Sequence, residues 1–133
     1  MAHPERQDAV QRYLAAMDAG DYAAAGALFA PGAQYRRPLI TDAGNAPVLQ
    51  VISGRREIVD SWLRRGRRDI VHAVRTIADF GQHVFVEGVA TLDGDRRLAF
   101  MTYVTFDEDG LFTQVVAHSG LLPAGVDTDG DET

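Results

Sequence analysis

Cysteine is absent from this 133-residue chain, which removes disulfides, thiol nucleophiles and thiolate metal sites at once. Long apolar runs are missing too; none approaches the ~18 residues that a membrane-spanning helix needs. The opening Met-Ala-His-Pro-Glu-Arg-Gln-Asp lacks the apolar stretch of a secretory signal, so the cytoplasm is the expected compartment and no membrane partner is expected. Positive charge is scarce. Thirteen Lys and Arg against nineteen Asp and Glu give a net charge of -6, which argues against a nucleic-acid partner. The four histidines are scattered without ligand-like spacing, so no metal site is expected. There is no glycine-rich phosphate loop, and Gly54-Arg55-Arg56 opens a helix. Neither Ser53 nor Ser119 lies in a nucleophile-elbow sequence. No cofactor is expected.

What remains is an ordinary globular composition, 46% hydrophobic and 24% charged, in a chain of single-domain length. Residues 1–120 read as one domain. Residues 121–133, acidic from Asp127 to Glu132 and without an apolar residue after Val126, read as a disordered tail.

Ala9, Val10, Tyr13, Leu14 and Met17 recur at helical spacing within residues 5–18, and Gly20 is a helix stop. Asp21 then caps a second helix over residues 22–30, before Pro31-Gly32. Residues 33–39 read as a strand, with Pro38 at its edge or end. Residues 40–53 read mainly as a loop around Gly44, Asn45 and Pro47, with a possible short strand at 48–52. Ser53 is the expected cap of a third helix, 54–66, whose apolar face carries Ile58, Val59, Trp62 and Leu63. Strands follow at 69–79, 82–93, 96–107 and 111–119, joined at Asp79–Gly81, Asp93-Gly94-Asp95 and Asp107–Gly110. Three helices and a meander predict an α+β domain: a cone-like curved, mixed but mainly antiparallel sheet with the helices on its concave side.

The order of these elements, with Gln11-Arg12-Tyr13-Leu14-Ala15-Ala16-Met17-Asp18-Ala19-Gly20-Asp21 followed by Ala27-Leu28-Phe29-Ala30, resembles the nuclear transport factor 2-like superfamily. Its SnoaL-like polyketide cyclase and ketosteroid isomerase branches are the most similar, over roughly residues 8–120. The resemblance implies a conical pocket for a small apolar molecule. It matches Tyr13 to the tyrosine that donates to a developing oxyanion, and Trp62 to a second aromatic of the tyrosine network. Arg37 falls where the isomerases have their general-base aspartate, and Thr102 where they have a protonated aspartate. An arginine cannot abstract a proton near neutral pH, so a different reaction in the same pocket is implied.

Strand alternation in the family's phase sends Tyr35, Arg37, His72, Val74, Phe85, Glu87, Val89, Thr102, Val104, Val115, Ala117 and Ser119 to the concave side. Val86, Met101, Tyr103, Val116 and His118 then face outward, where they would form a homodimer surface. Glu87, in a strongly apolar strand, is either a general acid–base with a raised pKa or the ion-pair partner of Arg37. His72 is the second proton-transfer candidate. Tyr13 and Arg37 would stabilise an enolate oxygen. Met17, Tyr35, Trp62, Phe85, Val89, Thr102, Val104, Ala117 and Ser119 would line the substrate site. The arginines at 55, 56, 64, 65, 67 and 68 read as a solvated helix face and its exit, or as a site for an anionic partner or a charged substrate tail.

The expected function is that of a cofactor-independent isomerase, cyclase or dehydratase acting by acid–base catalysis on a polyketide-, steroid- or terpenoid-like molecule. The alternatives are a non-catalytic ligand-binding or assembly domain of the same fold, and an epoxide hydrolase, which needs a carboxylate pair to activate water.

Overall fold

The computed structural model describes residues 3–39 and 48–120. The expectations for the 40–47 loop and for the acidic tail lie outside the described residues.

Helix α1 (Pro4–Ala19) buries Ala9, Val10, Tyr13, Leu14 and Met17 on one face. It stops where Gly20 enters the left-handed region at φ 75°, a conformation that costs glycine little. The Asp21 carboxylate then caps α2 (Tyr22–Gly26) by accepting from the Ala24 N–H at 3.1 Å. This helix ends four residues earlier than its sequence predicts. Phe29 is instead the first residue of β1 (Phe29–Leu39), fully buried against Tyr13, Trp62 and Phe112. The Leu28 carbonyl accepts from the Phe112 N–H at 2.9 Å. Tertiary burial of one large aromatic outweighs the helix preference of an alanine-rich segment.

Strand β2 (Val48–Ser53) pairs antiparallel with β1. Ser53 does not cap α3 (Arg55–Arg65). It stays in the ladder opposite Gln34, and Gly54, at φ 94°, occupies the cap position without a side-chain bond. Helix α3 ends at Gly66 as expected. Strands β3 (Ile70–Phe80), β4 (His83–Leu92), β5 (Arg96–Phe106) and β6 (Phe112–Gly120) pair antiparallel in succession. Parallel pairing of β6 with β1 completes the sheet, in the order β2-β1-β6-β5-β4-β3. The sheet is mixed, mainly antiparallel, curved and unclosed, with the three helices on its concave side. Register shifts interrupt it between Phe29 and Gln34, between Val74 and Thr76, and between Thr105 and Phe106; such bulges sharpen local twist and bend. The core centres on Trp62, whose ring lies 5.7–6.3 Å from those of Tyr13, Tyr22, Phe29 and Tyr35.

The phase of β4 differs from the expected one. Val84 and Val86 are fully buried in the core, and Gly88 and Ala90 share their face. Phe85, Glu87 and Val89 therefore lie on the outer face. The cause is the β4–β5 connection. Asp93 and Gly94 adopt φ 54° and 83°, and Leu92 pairs with Arg96. That register places Val86 opposite Thr102 and Val84 opposite Val104, and a one-residue difference in register turns every side chain over.

Helix α1 is tied to β3 near its N-terminal end. The Asp79 carboxylate accepts from the His3 N–H at 3.1 Å and from the Gln7 side-chain amide. These hydrogen bonds hold the Asp79 pKa below its ordinary value.

Candidate functional site

A cleft of about 370 Å³ opens between β1, the end of α3 and the neighbouring parts of β3 to β6. A smaller inner chamber of about 110 Å³ continues from it toward Tyr13, Leu14 and Met17 on α1. Tyr35, Arg65, Arg68, Ile70, His72, Thr102 and Ala117 border both spaces. Phe100, Leu98, Leu92, Ala90 and Ile70 give the cleft an apolar wall, and Arg37, Arg68 and Ser119 also line it.

His72 is held by α1. Its backbone N–H donates to Asp18 Oδ2 at 2.9 Å, and its Nδ1 lies 2.6 Å from Asp18 Oδ1. The ring meets Phe100 edge-on at 4.8 Å. Both side chains are largely buried, 15% exposed for His72 and 20% for Asp18. An Nδ1–H donated to a carboxylate fixes the tautomer and leaves the lone pair on Nε2, the nitrogen for which the described residues provide no partner. Asp18 sits in the last turn of α1, at the negative end of the helix dipole, where a carboxylate is disfavoured unless tertiary structure uses it. That misplaced charge was the signal available in the sequence for a residue the sequence reading passed over.

Tyr13 is buried at the inner chamber, and burial together with its interaction and hydrogen bond with Tyr35 holds its pKa well above 10.0. Its hydroxyl therefore stays protonated and able to donate. Arg37 is oriented by its Nε, which donates to Gln50 Oε1 at 2.8 Å. Arg65 stacks over Tyr22, its guanidinium carbon 5.8 Å from the ring centre. Its Nη2 reaches the Tyr22 hydroxyl at 3.4 Å, and its buried Nε has no partner among the described residues. Partial burial, then the nearby charges of Arg65 and Arg37, lower the pKa of Arg68.

Of the expected site residues, His72, Tyr13, Arg37, Met17, Tyr35, Thr102, Ala117 and Ser119 border the cleft or its inner chamber. Trp62 and Val104 are fully buried in the core behind it. Phe85, Val89 and Glu87 are on the other side of the sheet. Glu87 pairs with Arg75 at 3.0 Å, not with Arg37, and so lies apart from the other three expected catalytic residues, of which Arg37 borders the outer cleft, Tyr13 the inner chamber and His72 both. Arg65 and Arg68, read as part of a solvated face or an anion site, border the cleft. His118, expected to face outward, borders it from near the end of β6. Among the described residues no group of three or more His, Asp or Glu could hold a metal ion, and no helix is long and apolar enough to cross a membrane.

Residues 10–115 match the model of the SnoaL-like domain. No curated protein matches the sequence significantly. Among solved structures, an NTF2-like protein of unknown function from Burkholderia xenovorans LB400 superimposes with a TM-score of 0.73 at 16% identity, covering 92% of this chain and 88% of that one. A provisionally named SnoaL-like polyketide cyclase from Shewanella denitrificans OS-217 gives 0.70 at 16% identity, covering 88% and 91%. A provisionally named ketosteroid isomerase from Kribbella flavida DSM 17836 gives 0.69 at 17% identity, covering 98% and 90%. At these identities the likeness is one of fold.

Proposed function

The chain belongs to the SnoaL-like domain family, and from that premise we propose that it is a cofactor-independent acid–base enzyme acting on a small, largely apolar carbonyl compound of polyketide-, steroid- or terpenoid-like kind. The observation that carries this reading is the Asp18–His72 pair, 2.6 Å apart at the cleft. His72 Nε2 takes a proton from a carbon next to the substrate carbonyl and returns it at another position, giving isomerisation, ring closure or elimination. Asp18 holds the imidazole in place and balances its charge when it is protonated. The enolate oxygen is met by the inner-chamber donors Tyr13, Tyr35 and Arg65. Arg37, which borders the outer cleft and not the inner chamber, is left for binding. The water-adding alternative loses support, because no carboxylate borders the 370 Å³ cleft among the described residues.

The test is exchange of the C1 protons of 2-tetralone in heavy water, followed by NMR. The protein is expected to exceed an equal concentration of free imidazole. His72→Gln should lower the rate by at least ~100-fold and Asp18→Asn by roughly tenfold, the range for losing a general base or its support. Wild-type exchange no faster than imidazole, with 2-tetralone shown to bind, supports the non-catalytic ligand-binding reading instead.

On the same reading the protein works as a homodimer through the outer sheet face. Leu49, Val51, Val71, Phe80 and Met101, on β2, β3 and β5, are 45–57% exposed, apolar side chains that a lone protomer leaves to water. Val86, once expected on that surface, is in the core. Light scattering at micromolar concentration should give twice the protomer mass, and Met101→Glu should reduce it to one; a wild-type monomer would sink the assembly.

A further inference from the structure

The chain carries a net charge of -6, yet its cleft is lined by arginines. Arg37, Arg65 and Arg68 border it, arriving from β1, the end of α3 and the segment after it. Among the described residues no aspartate or glutamate lines the cleft, and none of the three arginines has a salt-bridge partner. The guanidiniums are close enough for Arg65 and Arg37 to depress the pKa of Arg68. Like charges gathered at a partly desolvated concavity destabilise the empty protein and favour an anion there.

We propose that the cleft takes an apolar carboxylic acid, its carboxylate received by Arg37 and Arg68 and its hydrocarbon body laid along Phe100, Leu98 and Leu92. The fork of Arg37 suits a planar two-oxygen anion, because its Nε is already spent on Gln50 and its two terminal nitrogens remain. The apolar wall of Phe100, Leu98, Leu92 and Ile70 gives a hydrophobic body a surface to rest on, which a free phosphate does not use. This specifies the substrate class for the cleft assigned above and rests on that cleft being the working site. The binding step itself does not require the proton-transfer chemistry.

Calorimetry on the full chain with 1-naphthoate and its isostere 1-naphthamide separates charge from shape. The acid is expected to bind at least ~10-fold more tightly than the amide at 50 mM salt, on the scale of charge-assisted pairing, and to lose most of that advantage at 500 mM. The double variant Arg37→Gln/Arg68→Gln should bring the acid down to the amide while leaving amide affinity within about twofold, which also reports an intact cleft. Equal affinity for acid and amide in the wild type, no measurable binding of the acid, or an acid preference that survives the double variant would each overturn the proposal. The salt series uses only the wild-type protein, so it decides the matter even if the double variant does not fold. An acid preference without His72-dependent exchange removes the catalytic reading and keeps this one. His72-dependent exchange without an acid preference does the reverse.

Discussion

Among the described residues, the ion pairs Asp18–His72 and Glu87–Arg75 each join separate elements, one on each side of the sheet. Asp18–His72 lies on the concave side at 2.6 Å, with side chains 20% and 15% exposed. Glu87–Arg75 lies on the outer face at 3.0 Å, with side chains 23% and 31% exposed. Burial and distance barely separate them, yet only one is suited to chemistry. An arginine keeps its proton throughout the accessible pH range, so a carboxylate closed against it has nothing to exchange. A histidine held by one nitrogen keeps the other available. The chemistry of the partner, and the side of the sheet on which the pair falls, distinguish a working carboxylate from a structural one.

The comparison breaks most severely at Gly88. A methyl group there would run into the Ala73 carbonyl on β3 and come within 3.0 Å of the Phe100 ring, the ring against which His72 rests. Gly88→Ala is expected to lower stability by about 1–3 kcal/mol, the usual cost of overpacking, and to depress exchange by displacing His72. Urea unfolding and the 2-tetralone assay read the two effects separately, and wild-type stability would show that β3 and β4 are not in this contact.

A smaller effect is expected from Tyr13. Its folded-state pKa is raised by burial and by Tyr35. Below pH 10 the hydroxyl is protonated in both folded and unfolded chains, so its contribution is fully present. Above pH 10 the unfolded chain loses the proton first, and stability declines as pH rises toward the folded value. Urea midpoints between pH 8 and 11 should show this decline, and Tyr13→Phe should flatten it in part. A decline unchanged in that variant would assign the effect elsewhere. The smallest change should come from Glu87→Gln, with less than about 1 kcal/mol lost for a partly exposed pair and exchange within about twofold of wild type. A large loss of exchange would return Glu87 to the mechanism and reverse the comparison.

The helices, their glycine stops, the Asp21 cap and the four-strand meander were legible because local chemistry specifies them: periodic apolar positions, left-handed glycines and turn-forming Asp-Gly pairs. The phase of β4 was not. Val84-Phe85-Val86-Glu87-Gly88-Val89-Ala90 is apolar in both registers, so alternation cannot choose between them. The turn could have decided it. Asp93-Gly94-Asp95, taken as a three-residue connection, sets Leu92 opposite Arg96 and links even positions of β4 to even positions of β5. Thr102 and Val104, correctly expected to face inward, then bring Val84 and Val86 with them. Ser53 misled for a different reason: a good capping residue is unavailable once its backbone belongs to a strand. Arg65 and Arg68 were read correctly as cations, but only the fold shows that the chain's exit from α3 turns them over the cleft.

The extra residue at Arg75 in β3 sets a length standard for the molecule. His72 and Asp79 are an odd number of positions apart, so in an unbroken strand they would point to opposite sides. The bulge between Val74 and Thr76 restores them to one side, where each meets an end of α1. From residue 3 to residue 18 the helix advances about 22 Å at 1.5 Å per residue. From residue 72 to residue 79 the strand advances about 23 Å at ~3.3 Å per residue. Helix and strand are matched rulers, engaged at both ends, and the bulge is the vernier that brings their marks into line. Substitutions along this stretch leave the match intact, whereas a single insertion or deletion between 72 and 79 rotates either the histidine or the aspartate off its mark. This part of the chain can therefore vary in composition but not in length.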